Sequence, residues 1–388
     1  MPISVARHDL MRRMNEMAVL TVLRQHGPLS RRRIAQYTGL TKSTVTVAVQ
    51  RLFAKNILME VGTINNGPGR PEVLLNLNPT AGYIIGAGID VASYHVVLFD
   101  LEAHILQQYL ASFEANASPR EVLSRIAADV KRMKSLIEER EYWGFGLSIP
   151  SVISTEGDVI YAPNLKWADV PVKDYFVNLL GEPVFVLNDA DAGAVAEYFF
   201  GEGQKSELLV YLTLGMGIGG GIVVNGDLLR GTTGASAEVG HMVIAANGPL
   251  CSCGRRGCFE ALASVRTLIE RATRARDAWE WLSLDEIVNG FSAGEAWAVS
   301  AVNETVQYIA EGVTNIANIY DPDMIVLGGP LARLGPYLEH YVQSHVSRHI
   351  IAANHRRIAI KITSLGQFAS DLGAGAMVLN TAVDTRDG

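Results

Sequence analysis

The fold class predicted by the sequence is α/β, with a small helical head followed by a larger body made of two similar halves. Three observations support it. The head carries apolar residues at helical spacing, the body mixes strand-like and helix-like runs, and Gly-rich turns recur in both halves of the body. The 388 residues are 48% hydrophobic and 19% charged, an ordinary globular mixture. We expect the head to span residues 1–80 and the body residues 81–388.

Charge is divided unevenly between these two parts. The net charge is −7, but residues 1–80 hold eleven Lys or Arg against four Asp or Glu and so carry +7. The remaining residues therefore carry −14. A basic head on an acidic body is typical of a protein that meets a polyanion at one end, although solvated charge clustered by chance gives the same count.

Three helices are expected in the head. The first ends at "HGP", Ser30 caps a short second helix that ends before "TGL", and Thr41 caps the third. The inner face of the third helix is apolar, with Val45, Val49 and Leu52. Two helices joined by a tight turn containing glycine predict a helix-turn-helix, whose second helix can enter the major groove of DNA.

Two further strands complete a winged helix-turn-helix. "ILMEVG" and "EVLLNLNP" flank the loop "TINNGPGRP", in which Arg70 has an extended setting that suits a narrow minor groove. Trihelical units also serve as protein-interaction modules, but the charge and the wing favour DNA. The candidate DNA contacts are polar or basic: Arg33, Lys42, Ser43, Thr44, Thr46, Gln50, Arg51 and Arg70.

The body repeats one pattern of elements. Its first half has three strands, a helix over 119–140 and a fourth strand: "YIIGAGIDV", "SYHVVLFDLE", "HILQQYLASF" and "YWGFGLSIP". Its second half again has strands, with helices between them: "ELLVYLTLG", "GIGGGIVVNGDLL", "DMIVLGGP" and "RIAIKITSLG". Two such halves predict a duplicated α/β domain with a ligand cleft between them.

All three cysteines lie in the eight residues "CSCGRRGC". An odd number of thiols argues against a disulfide framework, and unrelated buried thiols would be scattered through core strands. With a histidine ten positions upstream, the set offers one imidazole and three thiolates, the donors that structural zinc prefers. We expect one structural Zn²⁺ per chain in the loop 241–258, bound by His241, Cys251, Cys253 and Cys258.

The sequence lacks features of a membrane or secreted protein. No run of apolar residues approaches the roughly 20 needed to span a bilayer, and the N-terminus has no apolar signal-peptide core. We therefore expect a soluble, cytoplasmic protein that does not bind a membrane.

The segment "LGMGIGGGIVVNGDLLRGTTGASAEVGHM", followed by "CSCGRRGCFE", resembles the signature of the ROK family of sugar kinases and sugar-responsive repressors. The likeness continues through "LSIPS", "APNLKW", "LNDADAGAVAE" and "VLGGP" and covers nearly all of residues 83–388. The winged helix-turn-helix in front resembles the repressor branch, such as the xylose, glucose and N-acetylglucosamine repressors. The resemblance implies a duplicated actin-like, ribonuclease-H-like fold of the sugar kinase type for the body.

The same resemblance implies a sugar site. Six residues match its positions: Asn164, Asn188, Asp189, Glu238, His241 and Glu260. Carboxylates and amides suit a ring of hydroxyls, and the family's kinases use the residue matched by Asp189 as general base. Two alternatives stay open, since Asp189 could cap the next helix and Glu260 could serve the start of its own. His241 would bind zinc through one ring nitrogen and a sugar hydroxyl through the other.

Five residues, at three places in the chain, depart from what the resemblance leads one to expect. The family's kinases hold ATP phosphates on Gly-rich loops, but Val91, Ala92 and Ser93 replace the first such loop and Met216 replaces a hydroxyl in the second. Because phosphoryl transfer depends on positioning, we expect kinase activity to be crippled. Ser151 stands where the family usually has glycine, which leaves the preferred sugar open.

These observations predict a sugar-responsive, DNA-binding transcriptional regulator. It would repress carbohydrate-utilisation genes and leave its operator when a sugar binds; the alternative is an ATP-dependent sugar kinase with an appended DNA-binding domain. The expected partners are double-stranded operator DNA, a small sugar and further copies of the chain in a homodimer or tetramer.

Overall fold

The computed structural model describes residues 3–65, 71–114, 116–138 and 141–379, with side chains from residue 11 onward. The chain forms two compact units. Unit 1 comprises Met1–Leu147, Val172–Phe185 and Ala374–Gly388, and unit 2 comprises Ser148–Pro171 and Val186–Gly373. The predicted boundary at residue 80 separates the head from the body. These two units divide the chain elsewhere, so that boundary stays a prediction.

The head has the predicted helices and wing strands. Its elements are α1 (Ile3–His26), β1 (Leu29–Ser30), α2 (Arg31–Thr38), α3 (Lys42–Ala54), β2 (Leu58–Ile64) and β3 (Glu72–Leu77). Both predicted caps are present, because the side chain of Ser30 accepts from Arg33 N and that of Thr41 from Thr44 N. Gly39 ends α2 with φ +70°, a left-handed conformation that favours glycine. The three strands form an antiparallel sheet in the order β1-β3-β2.

One apolar core holds the head together. Its fully buried residues come from all three helices and from β3: Val19, Ile34, Val45, Val49, Leu52 and Leu75. Trp143 of the body packs against this cluster, and its indole N–H donates to Ala81 O at 3.3 Å. The head is therefore packed onto the rest of unit 1.

The first half of the body forms a five-stranded sheet in the order β11-β7-β4-β5-β6. Its elements are β4 (Tyr83–Ile89), β5 (Ser93–Asp100), β6 (Ile105–Ser112), α4 (Pro119–Lys134), β7 (Tyr142–Ile149), the small strands β8 (Val152–Ile153), β9 (Val159–Ala162) and β10 (Trp167–Val170), then α5 (Val172–Leu180) and β11 (Val184–Asn188). The helix expected over 119–140 ends at Lys134, so this predicted length was wrong.

The second half forms another five-stranded sheet, in the order β14-β13-β12-β15-β16. Its elements are α6 (Asp189–Phe200), β12 (Leu208–Leu214), β13 (Ile218–Val224), β14 (Asp227–Leu228), α7 (Phe259–Ala263), α8 (Val265–Arg276), α9 (Leu284–Ser292), α10 (Ala296–Tyr320), β15 (Met324–Gly328), α11 (Pro336–His349), β16 (Ala359–Ile362) and α12 (Ala369–Ala376). Read from the opposite edge, this order matches that of the first sheet, which confirms the predicted duplication. The strand β14 is short because the chain leaves the sheet after Leu228 and runs towards Glu238.

Residues that follow Gly373 return to unit 1. A Cβ on Gly146 would lie 2.0 Å from Ala374 O, and one on Gly375 would lie 2.7 Å from Phe99 Cζ. Only glycine permits backbone approach this close, so residues 374–379 pack directly onto β7 and the neighbouring strands. Among the described residues, no helix is long and apolar enough to cross a membrane.

Candidate metal centre, ligand site and DNA-binding face

The four predicted metal ligands come together in unit 2. One ligand atom from each of His241, Cys251, Cys253 and Cys258 lies within 4.8 Å of the others. His241 Nδ1 is 3.6 Å from Cys251 Sγ, and Cys253 Sγ is 3.6 Å from Cys258 Sγ. A tetrahedral zinc ion, with Zn–S of about 2.3 Å and Zn–N of about 2.0 Å, separates two sulfurs by about 3.8 Å and a sulfur from a nitrogen by about 3.5 Å. The donor set therefore fits zinc in both chemistry and spacing.

Two glycines allow the cysteine loop to close. Gly254 and Gly257 have φ of +86° and +70°, and a Cβ on Gly257 would lie 1.5 Å from Ala245 O. The turn is held by a hydrogen bond from Cys251 N to Arg255 O at 2.8 Å. Positive φ angles favour glycine, so the backbone of this loop depends on these two residues.

The loop cysteines have different environments. Cys253 is exposed, and a backbone hydrogen bond from Arg255 lowers the pKa of its thiol to about 6. Burial raises the pKa of the Cys258 thiol to about 12. Metal ligation replaces thiol protons, so the loop would release protons on binding zinc.

Asn188 and Asp189 lie where β11 meets α6, and only Asn188 caps the helix. Asn188 Oδ1 accepts from Ala190 N at 2.8 Å and from Asp191 N at 3.4 Å, and its Nδ2 donates to Ser151 O at 2.8 Å. The alternative in which Asp189 is the cap was therefore wrong. Asp189 is half-buried at the start of α6, where the helix dipole favours a carboxylate.

Glu238, His241 and Glu260 form a second group beside the cysteine loop. His241 N donates to Glu238 O at 3.1 Å. Burial raises the pKa of Glu238, the nearby His241 opposes this effect, and the Glu260 carboxylate adds to it. Glu260 lies in the first turn of α7, but its carboxylate also accepts from Ile218 N at 3.2 Å and from Ser252 Oγ at 3.4 Å. The last candidate, Asn164, is exposed between β9 and β10.

Asp191 is a carboxylate that the sequence analysis missed. It is 8% exposed, and its Oδ1 has no hydrogen-bond partner among the residues that the structure describes. Burial raises its pKa to about 7, Arg230 opposes this effect, and Asp189 and Glu238 add to it. The sequence feature that could have identified Asp191 is its place as the second acid of "NDAD", in the same first turn of α6 as Asp189.

The two loops expected to replace the kinase phosphate loops are the turns that follow β4 and β12. Asp90 Oδ1 accepts from Val91 N at 2.7 Å, so this N–H already has a partner. Val91 and Ala92 are exposed at the turn between β4 and β5, and Met216 is 43% exposed between β12 and β13. A phosphate would need free backbone N–H groups at such a turn.

The third helix presents its candidate DNA contacts to solvent. Lys42, Ser43, Thr46, Gln50 and Arg51 are exposed, and Thr44 is half-buried. Arg33 on α2 is also exposed, and Arg70 lies outside the described residues. The buried face of the helix is the predicted apolar one, so its polar face is free to meet another molecule.

Some of these candidate side chains already make contacts within the protein, and others do not. Thr46 Oγ1 donates to Lys42 O at 2.8 Å, and Arg51 Nη1 lies 3.7 Å from Oε1 of Glu16, which is 2% exposed. Within the described part of the chain, the side chains of Lys42 and Gln50 make no hydrogen bond or ion pair. Lys42 and Gln50 can thus contact DNA without breaking an internal interaction.

A model of the ROK family matches residues 85–381. The chain belongs to the ROK family. It is 30% identical over 383 residues to the xylose repressor of Bacillus subtilis, across 98% of both chains. The glucokinase of Thermotoga maritima is also 30% identical, but that match covers 76% of this chain and 96% of the glucokinase. A solved ROK-family transcriptional regulator, described as a homologue of the E. coli MLC protein, superposes with a TM-score of 0.79 at 22% identity, across 96% of this chain and 97% of that one.

These matches confirm the predicted fold and family. The matches to the repressor and to the solved regulator cover nearly all of this chain, including the head. The match to the glucokinase covers about three quarters of this chain. The chain is thus similar over nearly its full length to transcriptional regulators of the ROK family. Its His and Cys cluster fits the zinc site of that family.

Proposed function

We propose that this ROK protein is a repressor of carbohydrate-utilisation genes that leaves its DNA operator when a sugar binds in unit 2. The observation that supports the proposal is the exposed polar face of α3, a helix capped at Thr41, in a chain that is similar to a xylose repressor over 98% of its length. Lys42 would bind a backbone phosphate and Gln50 would read a base edge. Arg33, Ser43, Thr44, Thr46, Arg51 and Arg70 are proposed as supporting contacts.

The sugar site is proposed at Asn164, Asn188, Asp189, Glu238, His241 and Glu260. These residues offer oxygen acceptors for hydroxyls and one imidazole. Asp191 adds a further acid beside Asp189 and Glu238, and Arg230 is the cation that opposes it. Because like charges repel, the site should favour a neutral sugar over a sugar phosphate.

A bound zinc ion would fix the cysteine loop and the ring of His241. We propose His241, Cys251, Cys253 and Cys258 as its ligands, one ion per chain. Since Nδ1 faces Cys251 Sγ, Nε2 is the nitrogen that His241 would offer to a sugar hydroxyl. Zinc bound at Nδ1 would hold His241 as the tautomer with a proton on Nε2, so Nε2 would donate a hydrogen bond to the sugar hydroxyl.

A homodimer or tetramer is proposed for DNA binding. Two recognition helices of a symmetric pair read half-sites about 34 Å apart, which is one turn of DNA. Sugar can release such an assembly only if it binds the DNA-free form more tightly than the DNA-bound form.

The proposal is tested by fluorescence anisotropy of labelled DNA from upstream of the protein's own gene, at fixed moderate salt. The titration is repeated with unrelated DNA and with a panel of neutral sugars and sugar phosphates. We expect specific binding that one neutral sugar abolishes. If the chain binds no DNA more tightly than the unrelated duplex, even after selection from a random duplex library, the repressor proposal is wrong.

A further inference from the structure

Arg255 lies in the cysteine loop and reaches the backbone of His241. Its Nη2 donates to His241 O at 2.8 Å, and its guanidinium helps to lower the pKa of the Cys253 thiol. One exposed side chain thus joins the loop that supplies three thiolates to the residue that supplies the imidazole.

The neighbouring Arg256 makes no such link. Its backbone pairs with Leu250, and within the described residues its side chain makes no hydrogen bond or ion pair. Arg255 and Arg256 are both exposed and have the same charge. Arg256 is therefore a matched control for any variant of Arg255.

The Arg255 contact acts on the turn that carries two proposed sugar ligands. His241 N donates to Glu238 O, so the backbone of His241 fixes Glu238 as well. A guanidinium that holds His241 O therefore restrains Glu238 and His241 together. The imidazole is the group proposed to face both zinc and sugar.

Charge supports the same contact. Three thiolates and a neutral imidazole around a divalent cation carry a net charge of −1, and the positive charge of Arg255, in the same loop, is opposite in sign.

We propose that Arg255 is a positioning residue that couples the zinc loop to the sugar site through the backbone of His241. The proposal rests on the proposed zinc and sugar sites. It assigns Arg255 two measurable effects, one on metal affinity and one on sugar affinity. If Arg255 only kept the loop folded, its substitution would change thermal stability. The zinc and sugar affinities of the Arg255 variant would then not differ from those of the Arg256 variant.

The test compares the full-length, zinc-loaded wild type with Arg255→Gln, Arg256→Gln and Arg255→Lys. Zinc affinity is measured by competition with a colorimetric chelator, and sugar affinity by calorimetry with D-xylose and D-glucose as probes. We expect Arg255→Gln to weaken zinc binding about tenfold, the low end of the usual effect of an outer-sphere partner. Sugar affinity should fall several-fold at saturating zinc, Arg255→Lys should recover part of both losses, and Arg256→Gln should stay within twofold of wild type.

Three results would separate the possible failures. Equal zinc and sugar affinities in the two glutamine variants would overturn the proposal while the repressor function stood. Weaker zinc binding with unchanged sugar affinity would overturn the coupling. A wild type that binds zinc but neither probe would count against a site for these two sugars, and the zinc affinities of the two glutamine variants would still decide whether Arg255 holds the metal loop.

Discussion

At the scale of single residues, Asp191 has the clearest cost to stability. Burial raises its pKa from 3.8 to about 7, so the folded chain retains a proton that the unfolded chain has already released between those values. Stability from this group is present below about pH 4 and is lost as the pH rises through about 7. A buried acid with an unpartnered oxygen is therefore a liability at neutral pH.

We expect Asp191→Asn to raise the melting temperature at pH 8 by several degrees and at pH 5 by clearly less, because the amide carries no charge to bury. Thermal unfolding of the full chain, at constant zinc, measures both values. Asp227→Asn, a change at an exposed acid on β14, serves as the control and should shift neither. An equal shift at pH 5 and pH 8 would contradict the argument.

Local chemistry made some residues predictable and left others hidden. Ser30 and Thr41 were found as caps because a cap depends on the three residues that follow it. The ion pair between Arg51 and Glu16 was missed, since its partners lie on α3 and α1 and no local pattern joins them. The same holds for the burial of Asp191, which depends on packing that the sequence pattern of α6 does not show.

At the scale of elements, variants of α3 can distinguish a contact to a DNA phosphate from a contact to a base. We expect Lys42→Ala to weaken binding to all duplexes alike and to lower the salt dependence by about one counterion. Gln50→Ala should lose roughly 1–3 kcal/mol on the preferred site and little on unrelated DNA. Anisotropy titrations at several salt concentrations give both quantities.

A control for these variants lies on β2 of the head. Glu60→Ala changes an exposed residue of β2 and should leave the salt dependence and the specificity ratio as they are. If Gln50→Ala lowered the affinity for all duplexes equally, Gln50 would not be a base contact.

The loop after β4 predicts the outcome of a kinase assay. Because Asp90 accepts a hydrogen bond from the N–H of Val91 and no glycine follows, this turn is poorly suited to hold ATP phosphates. We expect no sugar-dependent formation of ADP above the sugar-free rate in a coupled assay, with a ROK glucokinase as the positive control. A sugar-dependent rate that Asp189→Asn abolishes would establish the kinase alternative.

Elements that pair with near neighbours in sequence were predicted well, and the others were not. The hairpins β4–β5 and β12–β13 follow from apolar runs around short turns. The strand β1 was not predicted, because it has two residues and exists by pairing with β3 across the head. The strands β8 to β10 were missed for the same reason, since each is short and gains its hydrogen bonds from partners in a small separate sheet.

At the scale of the whole molecule, the duplication explains why one family signature could indicate the fold of so long a chain. The two sheets share one strand order, so recognising the Gly-rich second half also predicts the first. The order of the strands confirms this inference, although β14 has only two residues where β6 has eight.

The return of residues 374–379 to unit 1 has a consequence for synthesis on the ribosome. Residues up to 147 are made first, but the packing of Gly146 and Phe99 needs Ala374 and Gly375. Translation adds about 5–20 residues per second, so the early segments would wait on the order of tens of seconds for their last partner. During that interval the nascent chain would expose the flank of β7 that these residues later cover, and apolar surface exposed during folding favours aggregation.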